Sequence, residues 1–143
     1  MQLLDVLDEL RVLYSDRQAN PLLKRLTDAD VQRWSISLGN SRSDLYDRIA
    51  IQLAHGFETS ELSFTLCDAL LNDLFGVITS ANESAPSLFW DVYLAFDEGE
   101  YRHASNPEQD PVEAYTRPMI ARIVGTLRLL QADQFPESEI PCK

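Results

Sequence analysis

Residues Glu61–Thr79 set the strongest constraint on how this chain can fold. Placed on a helical wheel at about 100° per residue, the segment is apolar round most of its circumference. Leu62, Phe64, Leu66, Cys67, Leu70, Leu71, Leu74, Phe75, Val77 and Ile78 fill one continuous arc, and Glu61, Asp68, Asn72 and Thr79 share the remaining strip. A helix this greasy has to be wrapped by neighbours, so the reading places it at the centre of a bundle. Thr59 or Ser60 is its expected cap.

The rest of the chain supplies the wrapping. Leu3, Leu4, Val6, Leu7, Leu10, Leu13 and Tyr14 recur at helical spacing over about residues 2 to 17. Asn20-Pro21 reads as a cap followed by proline at the first helical position, opening a short turn through Leu26. Thr27-Asp28-Ala29-Asp30 has the pattern of a capping box, and Gly39 that of a C-terminal stop. Ser41 or Ser43 caps a further helix that His55-Gly56 is expected to end, and Pro86 starts an aromatic helix that stops near Gly99. Val112, Tyr115, Met119, Ile123, Leu127 and Leu130 keep one face of a last helix, kinked or broken near its start by Pro118. Strand alternation and hairpin signals are absent. The expectation is an all-α, single-domain bundle of about six helices over residues 1–132, with 133–143 a loosely ordered C-terminal tail.

Charge divides the chain in three. Between Arg48 and Arg102 there is no lysine or arginine, yet that stretch holds nine carboxylates: Glu58, Glu61, Asp68, Asp73, Glu83, Asp91, Asp97, Glu98 and Glu100. It accounts for −9 of the formal net charge of −11. Such a field repels nucleic acid and anionic lipid, and leaves a basic protein, a divalent cation or solubility alone as its purpose, solubility being what composition by itself favours. No apolar run approaches the roughly 18–20 residues of a membrane span. The acidic N-terminus Met1-Gln2-Leu3-Leu4-Asp5 does not read as a secretory signal. Cys67 and Cys142 make neither a disulfide framework nor a metal site. A cytoplasmic location follows as the expectation.

Two features stand apart from the packing pattern. Asp73 falls inside the apolar arc, between Leu62 and Leu66, where a lone carboxylate is costly. The expected remedy is a backbone donor or an arginine, with Arg48, Arg117, Arg122 and Arg128 as candidates. In the aromatic helix, Leu88, Phe89, Val92, Tyr93 and Phe96 form the core stripe, while Trp90, Leu94 and Asp97 lie opposite at i, i+4, i+7 with Asp91 beside them. Glu98, Glu100 and Tyr101 follow. An aromatic ring among carboxylates is the composition of a hot spot for a cationic partner, the ring giving area and the acids orientation. The alternative, which the apolar character of the helix favours, is that it too is internal and Trp90 packs beneath a neighbour.

Catalytic signatures are missing. The five glycines are scattered and form no phosphate loop. Glu100-x-x-His103 has the ligand spacing of a di-iron bundle without the second copy such a site needs, so no metal or cofactor is expected. Over Leu88–Tyr101 the chain resembles, in general type, the small acidic bacterial immunity proteins that neutralise toxins of competing strains. That resemblance implies a cofactor-free inhibitor which binds a basic toxin domain directly. The expected contact surface is Trp90, Asp91, Leu94, Asp97, Glu98, Glu100 and Tyr101, flanked by Glu58 and Glu61. A helical regulatory or scaffolding domain, homodimeric through Trp90 and Leu94, is the alternative. A carboxylate- or metal-dependent enzyme around Asp73 is the third.

Overall fold

Side-chain caps decide where the second, third and fourth α-helices of the chain begin. In the computed structural model, which describes residues 1–19 and 26–134, α1 spans Leu3–Ala19. Thr27 Oγ1 accepts from the Asp30 N–H at 3.2 Å while the Asp30 carboxylate accepts from the Thr27 N–H at 2.9 Å, the expected capping box. It opens α2, Asp28–Leu38, which Gly39 ends at φ 69° in the left-handed region. Ser41 caps α3, Arg42–Glu58, and Ser63 caps α4, Phe64–Ser80. α5 spans Ser87–Asp97, and a π-helical turn, Val112–Thr116, leads into α6, Arg117–Gln134. Among the described residues there are six α-helices and no strand, so the fold is all-α. The short helix expected from Asn20 and the tail beyond Gln134 lie outside the described residues. Asp133, expected in that tail, is still helical.

The centre of the bundle is α3, not α4. α3 packs against every other α-helix, and it buries Leu45, Tyr46, Ile49, Ala50, Leu53, Ala54, Gly56 and Phe57. Its small residues explain the difference. Ala50, Ala54 and Gly56 let neighbours approach the α3 backbone closely, whereas α4 leaves Thr65, Asn72, Gly76 and Thr79 exposed.

Gly56 does not end α3. The helix continues to Glu58, and Leu62 folds back so tightly that a side chain at Gly56 would collide with it. Ser60, at φ 66°, turns the chain. α4 therefore starts later than the capping pattern at Thr59 and Ser60 indicates, and Glu61 and Leu62 belong to the turn.

The irregularity anticipated at Pro118 arrives one turn early. The Arg117 N–H bonds to the Val112 carbonyl, five residues back, in a widened turn. Pro118 then falls in the first turn of α6, where a missing donor is tolerated. The widening also shifts the core-facing stripe of α6. Thr116, Ile120 and Val124 are the fully buried positions, Met119 and Ile123 flank them, and Leu130 is exposed.

Among the polar ties between helices in the described residues, three bear on α2, α3 and α5. Glu9 of α1 accepts a forked pair of hydrogen bonds from Arg33 and one from Trp34 Nε1 at 2.6 Å. Arg42 grips Glu83, before α5, through Nε and Nη2 at 3.1 Å each, and also holds Asp28. Tyr46 donates to the same Glu83 at 2.7 Å. The third tie compensates for the weak start of α5, whose N-cap, Pro86, offers no side-chain acceptor. Asp47 of α3 reaches across and accepts from the Phe89 N–H at 2.8 Å. Its carboxyl is held above the usual range by burial and by Asp44 and Asp91, with the Phe89 bond acting in the opposite direction.

Candidate functional site

The nine carboxylates of the base-free stretch separate once their partners are known. Glu58 pairs with Arg128 of α6 at 2.9 Å. Glu83 belongs to Arg42, which holds its carboxyl below the usual range despite burial. Asp73 accepts from the hydroxyl of Tyr14, a buried residue of α1. Among the described residues a phenol serves as its donor, while Arg117 goes to Glu113 and Arg128 to Glu58. Glu61 stands on the turn before α4, beside α1. Asp91 faces the groove between α5 and α6, near Leu88 and Arg122.

That leaves Asp68, Asp97, Glu98 and Glu100, which the fold gathers at the end of α5. The helix tightens there into consecutive i to i−3 turns, with the Gly99 N–H bonding to the Phe96 carbonyl and the Glu100 N–H to that of Asp97. Gly99 is buried against α4 and the π-turn, where a side chain would collide with Thr116 Oγ1 and Phe64. This close approach presses the 98–101 turn onto Asp68 of α4. Asn72 Nδ2 donates to Glu100 at 2.8 Å. Burial, a hydrogen bond with Glu100 and the charges of Glu100 and Asp97 push the Asp68 carboxyl up to about 8. At neutral pH Asp68 therefore keeps its proton. Asp97 is also raised, by burial and by Glu100 and Glu98. Sequence reasoning missed Asp68, since the wheel placed it on the polar strip. The signal was there in its i+4 neighbour Asn72, which shares that strip.

Aromatic rings flank the carboxylates on two sides. Trp90 is 38 % exposed and stacks on Tyr93, with ring centroids 5.3 Å and planes 16° apart. Phe75 anchors the pair to α4, its ring 4.7 Å from Tyr93 and 5.6 Å from Trp90. Tyr93 links this stack to the acids, its hydroxyl raised by burial and by Asp97, Glu100 and Asp68. On the other side Tyr101, 51 % exposed, stacks on His103, which stacks in turn on Tyr115. His103 Nε2 lies 3.1 Å from a Glu98 carboxylate oxygen and 2.9 Å from the Glu98 carbonyl. Among the described residues, no lysine or arginine pairs with any of the four acids.

Comparison with known proteins is silent. No family model matches the chain, and neither do any curated protein or solved structure. The site therefore stands on its geometry. The structure brings Asp97, Glu98, Glu100 and Tyr101 together and leaves Trp90 at the surface one stack away. Leu94 is half-buried, so it adds less apolar area than its position opposite the core stripe indicates. Glu58 and Glu61 are drawn instead toward α6 and α1. The described residues contain no group of three or more His, Cys, Asp or Glu placed to hold a metal ion, and no described helix is long and apolar enough to cross a membrane. Cys67 is fully buried, its thiol pushed up to about 12 by burial. It is packed as a small core residue.

Proposed function

We propose that this chain is an acidic binding protein that neutralises a cognate bacterial toxin by direct contact, through the face made by Trp90, Asp97, Glu98, Glu100 and Tyr101. One observation carries the reading. Four carboxylates are held together without a lysine or arginine partner among the described residues, at the cost of a retained proton, when other acids of the same stretch are neutralised inside the fold. A cation supplied from outside would relieve that repulsion. The exposed indole and phenol beside it would give such a contact its area and a π-face for the arriving lysine or arginine. A basic toxin domain has the chemistry to fill this role, and steering by the negative field would speed its arrival.

The reading is tested by measuring binding to a basic toxin domain, to be sought in the open reading frames beside the one that encodes this chain. Association should slow steeply as salt rises from about 50 to 500 mM, because screening shortens the reach of the field. Asp97→Lys, Glu98→Lys and Glu100→Lys together should abolish binding and protection of the host while the helical circular-dichroism spectrum is kept. Undiminished binding by the folded triple variant would sink the assignment. The alternative, a scaffolding domain paired with its own copy through Trp90, predicts instead a dimer that is insensitive to salt and lost in Trp90→Ala.

A further inference from the structure

A second site lies away from the acidic face, between the first half of α1, the C-terminal half of α3 and the turn that leads into α4. It is a cleft of about 180 Å³. Its floor is leucine, with Leu10, Leu53, Leu62 and Leu70 all buried. Leu62 is present because the close approach at Gly56 folds the turn back over α3. An apolar cavity of about 150 Å³ holds one benzene molecule, so this cleft accommodates an apolar body of similar size.

The rim is what gives the cleft a chemical preference. Arg11, Gln52, His55 and Glu61 stand round the mouth. Among the described residues, none of their side chains makes a hydrogen bond or ion pair. Arg11 brings a charged, forked donor, Gln52 an amide and His55 a ring N–H. Glu61 is acceptor-only when ionised. One permanent cation, an amide and a ring that each donate and accept, and one carboxylate stand round a hydrophobic floor, an arrangement that suits a ligand with an apolar body and a polar head. The charge on Arg11 selects an anionic head, and its guanidinium matches a carboxylate in a two-point contact.

We propose that this cleft binds a small monocarboxylate with an apolar body of about six carbons, its tail on the leucine floor and its carboxylate on Arg11. The site is independent of the acidic face. Glu61 opposes the ligand's charge and sets an upper limit on affinity.

Titration of the uniformly labelled protein with benzoate, benzyl alcohol and benzylamine, followed by amide NMR shifts, tests this directly. Benzoate should saturate at low millimolar concentration and move resonances of α1, the end of α3 and residues 59–62. Arg11→Gln, at an exposed position that leaves the fold untouched, should weaken benzoate about tenfold and benzyl alcohol less than twofold. Glu61→Gln should tighten benzoate, and Leu66→Phe, which fills the cleft, should abolish all binding. Benzylamine binding as tightly as benzoate, or benzoate unaffected by Arg11→Gln, overturns the assignment of an anionic head. Shifts confined to other elements, or no saturable binding of any of the three probes, overturn the site.

Discussion

Replacing Asp68 by asparagine should stabilise this protein, and do so only at neutral to alkaline pH. The folded state holds the Asp68 proton up to about pH 8, against 3.8 for an ordinary aspartate. Between those values the unfolded chain has released a proton that the folded one keeps. Stability therefore falls as pH rises through this window, by up to about 1.4 kcal/mol per pH unit for one group, and levels off above it. Below the lower value both states are protonated and nothing is lost. Asp68 is only partly buried, so water and counterions reduce the full effect to roughly 1–3 kcal/mol. The asparagine amide has the shape of the protonated acid and can donate to Glu100 without a proton to lose. Thermal melts followed by circular dichroism at pH 4.5 and 8.5 measure the effect. Asp68→Asn should raise Tm by about 4–10 °C at pH 8.5 and by little at pH 4.5. An equal shift at both pH values, or destabilisation at pH 8.5, would refute the retained proton on Asp68.

Asp73→Ala should act in the opposite sense from Asp68→Asn. It removes the acceptor of the buried Tyr14 hydroxyl, at a cost of about 1–3 kcal/mol readable in urea melts. Arg42→Gln removes both bonds to Glu83 and the contact with Asp28, so a loss of about 1–3 kcal/mol is expected by the same assay. Gly99→Ala drives a methyl into Thr116 and Phe64 and should cost about 1–3 kcal/mol. It should also lower the apparent pKa of Asp68, followed by carboxyl NMR, as the 98–101 turn lifts away from α4.

Local chemistry is legible wherever a residue and its effect lie within a few positions of each other. Thr27 with Asp30, Gly39 and Ser41 mark helix ends because the donors they satisfy, or the left-handed turn they permit, are close by in the chain. The apolar periodicity of residues 3–14, 45–57 and 64–78 marks helices for the same reason. What cannot be read depends on contacts between distant segments. Gly56 looks like a helix stop until Leu62 is seen to occupy the space its missing side chain leaves. The apolar arc of α4 points to the bundle centre, but closeness of approach, set by Ala50, Ala54 and Gly56, gives that place to α3. Trp90 is legible as the residue opposite a core stripe, but its exposure is decided by what packs on α5 and is seen only in the fold. Asp68 is not, because its altered acidity comes from burial and from Glu100, thirty-two positions away in sequence.

α5 is held at each end by side chains that belong to other elements. Asp47 of α3 fixes its first turn through the Phe89 N–H at 2.8 Å, and Thr116 of the π-turn donates to the Ala95 carbonyl near its last turn, also at 2.8 Å. A helix with its own caps can fray while the rest of a protein stays folded. One secured from outside loosens only when its neighbours move. Amide hydrogens of Val92 to Phe96 should therefore exchange at the rate of global opening rather than by local fluctuation. The face that carries Trp90 and Asp97 is then a pre-organised surface, and a partner docking there gives up little conformational freedom on this side of the contact.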